Sequence, residues 1–308
     1  MSNVLLGTAV ADALGVPFEK KLCNFEGLVE WDGKTYLGSE HHKLLPGQYS
    51  DDTQMSLMVA ESLIKNKGFN PDDLAARYME WLVSGRARGY GKTTLMAVQN
   101  LQAGKHWSES GIAGSMGNGT AMRAAPFGVY FRNDLYSLVN ICKIDSAITH
   151  ASEDAEAGSI AIALAAAYAV NNNTDNLLEK IWEKLPNSKV KSTIYSLNSL
   201  IDSEYITPQQ ALRVLGTKAD VRETVPSALY CFLKFSNYHD AIVAAIKAGG
   251  DTDTTAAIVG ALFGAKLGMK AINETIARGV EDYDKLIELD SQLYNRSGTS
   301  FFPRASNG

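Results

Sequence analysis

Apolar and polar positions follow a helical rhythm along most of this chain. Met55, Met58, Val59, Leu63 and Ile64 recur at i, i+3, i+4 spacing behind the polar start Ser50-Asp51-Asp52, which predicts a helix beginning there. Residues 73–83 repeat the pattern after Pro71, whose fixed φ suits a first helical turn. Residues 152–170 are alanine-rich with a wide apolar face, as in a helix buried on most sides. Residues 240–248 predict another helix, stopped by Gly249-Gly250, and a further one covers residues 252–267. Gly260 and Gly264 share a face there, so a neighbouring helix can approach closely. Strand alternation is scarce. Residues 27–37 and the stretch around Tyr49 predict at most a short hairpin. Residues 171–175 and 186–192 read as polar surface connections. With no Pro/Ser linker, charge block or internal period, the pattern predicts one all-α domain over residues 1–308.

Composition narrows the function classes. The chain has 308 residues, 45% hydrophobic and 20% charged, which excludes collagen-like and low-complexity disordered proteins and permits a substantial core. With 29 Lys+Arg against 34 Asp+Glu the net charge is −5, which argues against a surface that grips nucleic acid. Cys23, Cys142 and Cys231 are far apart and form no CxxC pair. A disulfide framework and a cysteine-rich zinc site are therefore not expected, and a reducing cytoplasm fits best. The start MSNVLLGTAVADALG lacks a basic region and carries Asp12 within its apolar stretch, so it reads as a helix and not as a signal peptide. The most apolar run, residues 159–170, is too short to cross a bilayer. The expectation is a cytoplasmic protein with no membrane partner.

Two acidic clusters stand at predicted helix starts: Ser50-Asp51-Asp52-Thr53 and Asp251-Thr252-Asp253-Thr254. Capping explains one side-chain oxygen at each start, because orphan amides and the helix dipole favour it. Each cluster supplies several. If they converge, four carboxylates and their hydroxyls form an oxygen cage suited to Mg²⁺, Mn²⁺ or Ca²⁺ rather than zinc. A cation there would relieve the repulsion among the acids. A third feature is Gly117-Asn118-Gly119-Thr120-Ala121-Met122-Arg123. Its glycines let backbone amides approach phosphate oxygens, and Arg123 can pair with a phosphate or with a carboxylate. The same residues also suit a tight turn with Arg123 in a buried ion pair. A fourth is His150, just before a helix, which can bond a ligand or simply close that helix start. Gly89-Tyr90-Gly91-Lys92-Thr93-Thr94 looks like the end of a phosphate-binding loop. Arg86 occupies the position that needs the first glycine, so that reading fails. His41 and His42 read as an exposed loop pair, and none of His41, His42, His106 and His239 shows metal-ligand spacing.

Taken in order, the runs GTAVADALGVPFE (residues 7–19), SDDT (50–53), GNGTAMRAAP (117–126), Thr149-His150 and GGDTDTT (249–255) resemble the ADP-ribosylglycohydrolase family, which includes dinitrogenase-reductase-activating glycohydrolase. The match spans roughly the first 265 residues. The resemblance implies a compact, single-domain orthogonal helical bundle that holds two Mg²⁺ or Mn²⁺ ions. It implies hydrolysis of the N- or O-glycosidic bond between ADP-ribose and an acceptor, often a protein side chain such as arginine or serine. By motif, the implied metal ligands are Ser50, Asp51, Asp52, Asp251, Asp253 and Thr254, with Ser50 where threonine is usual. Gly117, Asn118, Gly119, Met122 and Arg123 are implied to build the loop around ADP-ribose, and His150 to contact its distal ribose or phosphates. Ser152 stands where many members carry a second histidine, and Tyr90 near where some carry an acid. Glu19, Asp52 and Asp253 are the implied catalytic acids.

The expected chemistry is cleavage through an oxocarbenium-like state, with two cations gripping the distal ribose diol and lowering the pKa of an attacking water. Glu19 or Asp52 is then the general acid or base. The expected partner is an ADP-ribosylated protein or small molecule, the product ADP-ribose, and the chain a monomer. Two rivals remain at this point: a non-catalytic relative that binds ADP-ribose or serves structurally, and a different metal-dependent nucleotide hydrolase.

Overall fold

The computed structural model describes residues 1–19 and 31–296. Its centre is a pair of helices, Val4–Gly15 and Thr252–Leu267, whose backbones nearly touch. A Cβ added to Gly7 would fall 2.2 Å from the Gly260 carbonyl oxygen, and one added to Gly260 would fall 2.2 Å from the Gly7 oxygen. Gly264 lies against Asn3 in the same way, and the Asn3 amide donates to the Gly264 carbonyl at 2.9 Å. The close approach expected of Gly260 and Gly264 is thus met by the N-terminal helix. Tyr238 Oη donates to the Gly7 carbonyl at 2.9 Å and clamps the pair from a third helix, Tyr238–Lys247. The buried Asp290 carboxylate accepts from the amides of Leu5 and Leu6, which satisfies part of the first turn from across the chain.

The helix pattern read from the sequence recurs closely. Asp51–Asn66 starts after Ser50, whose side chain accepts from the Asp52 amide. Pro71–Val83 starts after Asn70, with Pro71 in its first turn. Glu153–Val170 follows the cap Ser152 and is buried nearly all round, so it forms an inner layer. It packs on Ala125–Tyr130, Leu135–Thr149 and Thr252–Leu267. Gly249 and Gly250 carry φ of 78° and 79°, a left-handed turn that ends one helix and aims the next. One hydrophobic cluster runs from Val4 through Leu164 to Leu293.

Two expectations change, and one pairing is added. The proposed hairpin falls partly on residues 20–30, outside the described ones. The described part shows no strand there, only an antiparallel bridge between Ser39 and Leu44. Residues 186–192 are not all loop: Lys189–Ile201 is a helix capped by Ser188, because its apolar residues Val190, Ile194 and Leu197 face the core. Two two-residue strands, Ile112–Ala113 just before the glycine loop and His150–Ala151 just after the Leu135–Thr149 helix, pair in parallel.

Candidate active site

The two acidic clusters, far apart in sequence, meet at one cavity. Thr254 Oγ1 donates to Asp52 Oδ2 at 3.2 Å. The cavity, about 380 Å³, is lined by the acids Glu19, Asp51, Asp52, Asp251 and Asp253 with Thr254. Gly117, Asn118, Gly119, Met122 and His150 line it as well. Residues of the 89–94 segment, Tyr90 and Lys92 among them, also take part. Capping accounts for little of this acid. Of the first cluster, Ser50 is the residue whose side chain caps the Asp51–Asn66 helix. Asp251, at the cap position of Thr252–Leu267, makes no capping bond with its side chain. Its carboxylate turns instead to the Asn118 amide, which donates to Asp251 Oδ2 at 2.6 Å and to Thr224 Oγ1 at 3.0 Å.

Burial makes this cluster costly without a cation. Asp52 is 1% exposed, and its Oδ1 has no hydrogen-bond partner. Asp51, Asp52 and Asp253 are held well above the usual carboxylate range, first by burial and then by a neighbouring carboxylate, Asp12 for Asp51 and Asp52 and Asp251 for Asp253. Asp251 is raised by burial, tempered by hydrogen bonds that include the one from Asn118. No lysine or arginine forms an ion pair with these four among the described residues. An all-oxygen donor set with an orphaned buried oxygen fits a hard divalent cation. Oxygens of Asp12, Asp52 and Asp253 lie within 4.8 Å of one another, as do ligand atoms of Glu19, His42 and Asp253.

Two of these residues were not read as functional from the sequence. Asp12 is fully buried and accepts from the Ser50 amide at 3.0 Å and from the Thr53 amide and hydroxyl at 3.1 and 2.6 Å. Burial pushes its pKa up to about 6 against those bonds. It ties the N-terminal helix to the start of Asp51–Asn66, so the first cluster is aimed by residue 12. An acid in the middle of an apolar helix was the available signal. His42 corrects the exposed-loop reading: its ring turns inward and bonds the Glu19 carboxylate. Nothing in its spacing marks it.

For Arg123 the fold decides between the two partners that the sequence leaves open. This residue is fully buried and does not line the cavity. Its guanidinium is taken by the Asp145 carboxylate, with Nε at 3.0 Å from Oδ2 and Nη2 at 3.1 Å from Oδ1. The carboxylate partner, not a phosphate, is the one realised. Arg123 still shapes the loop from beneath, since Nη1 donates to the Gly119 carbonyl at 3.3 Å. Gly117 and Gly119 leave room for the His150 ring: a Cβ on either would fall within 3.0 Å of it. Gly89, at φ 72°, leaves room for Asp51 in the same way. A larger cleft of about 760 Å³ beside Tyr49 and Trp81 holds no such cluster among the described residues: Glu61 is paired with Arg77 and Lys285, Glu281 with Arg88, and Asp282 accepts from Tyr49 Oη.

A family model for ADP-ribosylglycohydrolase matches residues 2–301. The chain belongs to the ADP-ribosylglycohydrolase family. It is therefore a glycosidic-bond hydrolase, and the all-α fold is that of the ADP-ribosylglycohydrolases. It is 31% identical to an uncharacterized protein of Archaeoglobus fulgidus, with 95% of each chain covered. It is 26% identical to the ADP-ribosylhydrolase ARH3 of Homo sapiens, covering 83% of this chain and 80% of that one. It is 25% identical to the ADP-ribosylarginine hydrolase Tri1 of Pseudomonas putida, covering 96% and 78%. A solved ADP-ribosylglycohydrolase-related protein complex matches with a TM-score of 0.79 at 25% identity over 96% of each chain. No helix among the described residues is long and apolar enough to cross a membrane.

Proposed function

We propose that this ADP-ribosylglycohydrolase releases ADP-ribose from a protein side chain, arginine or serine, with two divalent cations, Mg²⁺ or Mn²⁺, at the acidic cavity. The observation that carries the reading is the convergence of Asp51, Asp52, Asp251 and Asp253 on one cavity that the Gly117–Gly119 loop also lines. The likeness to an ADP-ribosylhydrolase, ARH3, and to an ADP-ribosylarginine hydrolase, Tri1, supports the substrate class.

In this reading Asp51, Asp52, Asp251, Asp253 and Thr254 hold the cations. Ser50, whose hydroxyl donates to Asp52 Oδ2 at 3.1 Å, completes the set. When bound, the ions supply a grip on vicinal ribose hydroxyls and a more acidic water. Glu19, held by His42, takes or gives the proton at the acceptor atom, with Asp52 as the other candidate. A carboxylate oxygen of Asp253 lies within 4.8 Å of one of Glu19 and within 4.8 Å of one of Asp52, so Asp253 links these two halves of the site. Gly117, Gly119, Met122 and His150 receive the ADP-ribose body. Asn118 spends its amide on Asp251 and joins the loop to the acids.

We further propose one domain over residues 1–308, supported by the one hydrophobic cluster that the described residues form, acting as a cytoplasmic monomer. The described cysteines, Cys142 and Cys231, are free and buried, which suits a reducing compartment.

The experiment is product analysis by mass spectrometry after incubation with Mg²⁺ and peptides ADP-ribosylated on arginine or serine. Intact ADP-ribose with unmodified peptide is expected. AMP with ribose phosphate would indicate phosphoester chemistry, and binding without release would indicate a non-catalytic relative.

A further inference from the structure

We infer that Thr149, with Arg123 and Asp145 behind it, is a positioning residue that fixes His150 as a neutral imidazole with its proton on Nε2, aimed at the ligand. The inference rests on the proposed placement of ADP-ribose beside His150. Its first half, the tautomer, stands on the chain alone.

The chain of bonds has a direction. Asp145 is a fully buried acceptor that takes bonds from Tyr78 Oη at 3.2 Å and from two nitrogens of Arg123. Arginine only donates, so Arg123 Nη2, 2.9 Å from Thr149 Oγ1, occupies a lone pair of that hydroxyl. Thr149 Oγ1 lies 2.8 Å from His150 Nδ1. Among the described residues the hydroxyl proton has no other acceptor within reach. It therefore goes to Nδ1, and Nδ1 must be the unprotonated nitrogen. The ring proton is left on Nε2.

That nitrogen has no protein partner among the described residues. It sits against the two glycines of the loop: a Cβ on Gly117 would fall 2.9 Å from Nε2, and one on Gly119 would fall 3.0 Å from it. His150 lines the cavity beside both glycines. An N–H donor among loop amides suits a phosphate or ribose oxygen and disfavours a metal, which would need a free lone pair there. The ring also stays uncharged: burial and then the nearby Arg123 push its pKa down to about 3. A cationic imidazole is thus not what meets the diphosphate. The buried arginine serves the ligand through two hydrogen bonds without touching it.

The test uses full-length protein with ¹⁵N-labelled histidine. The His150 ring signals are assigned by comparison with His150→Gln. Wild type is expected to show a pyridine-type Nδ1 and a pyrrole-type Nε2 that do not change from pH 5 to pH 8. Thr149→Val removes the donor and should give a mixture of tautomers, while Thr149→Ser should restore the wild-type signature. ADP-ribose affinity by calorimetry should fall about tenfold in Thr149→Val, the scale of one hydrogen bond to a charged group, and stay within about twofold in Thr149→Ser. A protonated Nδ1 in wild type overturns the inference, and this reading survives even if Thr149→Val does not fold. Unchanged tautomer and affinity in folded Thr149→Val also overturn it. Failure of wild type to bind ADP-ribose would count against the proposed function, while the ring signals would still decide the relay.

Discussion

Thr254 Oγ1 donates to Asp52 Oδ2 across 202 positions of sequence. That bond joins the starts of two helices and makes one acidic site from two clusters. If the site holds divalent cations, Asp251→Asn and Asp253→Asn should each lower activity by about 100-fold or more and weaken cation binding in parallel. Release of ADP-ribose measured against Mn²⁺ concentration checks this. Wild-type rates in both variants at every concentration would remove the ligand assignment.

Cation binding should register as stability. An ion that binds only the folded state at 100 times its Kd adds about 2.7 kcal/mol. At about 2–4 °C per kcal/mol for a protein of this size class, millimolar Mg²⁺ should raise Tm by several degrees. A melting point unchanged up to millimolar Mg²⁺ would count against the cage.

The raised carboxylates give that effect a pH dependence. Asp12, Asp51, Asp52 and Asp253 bind protons more tightly folded than unfolded. The metal-free protein should therefore keep this stabilisation below about pH 4 and lose it as pH rises through the folded pKa values. For Asp12 the window runs from the ordinary carboxylate value to about 6. Cations compete with those protons, so the Mg²⁺-induced rise in Tm should grow between pH 5 and pH 8. Thermal melts with EDTA and with Mg²⁺ across that range measure both slopes, and a gain that shrinks with pH would contradict the account.

Asp12 and Gly260 test the scaffold beneath the site. Asp12→Asn replaces one acceptor oxygen by a donor that faces the Ser50 and Thr53 amides, and should cost about 1–3 kcal/mol. Gly260→Ala forces a methyl group into the Gly7 carbonyl and should cost about 1–3 kcal/mol, or more if the helices cannot separate. Urea unfolding measures both. A neutral Gly260→Ala would mean the two helices are less closely packed than described.

Local rules made much of this legible. The helix starts at Ser50 and Ser152 and the left-handed stop at Gly249-Gly250 follow from caps and glycine, which act over a few residues. Periodicity revealed the Thr252–Leu267 helix, and its glycines announced a close neighbour without naming it. What stayed hidden depends on distant partners. Arg123 offers its guanidinium equally to phosphate or carboxylate until Asp145 is seen beside it. His42 gains a role only because the fold brings Glu19 to it. The strands at Ile112–Ala113 and His150–Ala151 are too short for any alternation to register.

The most direct test is a crystal of the protein soaked with Mn²⁺ and ADP-ribose, read by anomalous scattering. Two manganese peaks are expected among the carboxylates of Asp51, Asp52, Asp251 and Asp253, with the ribose diol beside them. Bound ADP-ribose with no anomalous peak among those carboxylates would contradict this expectation.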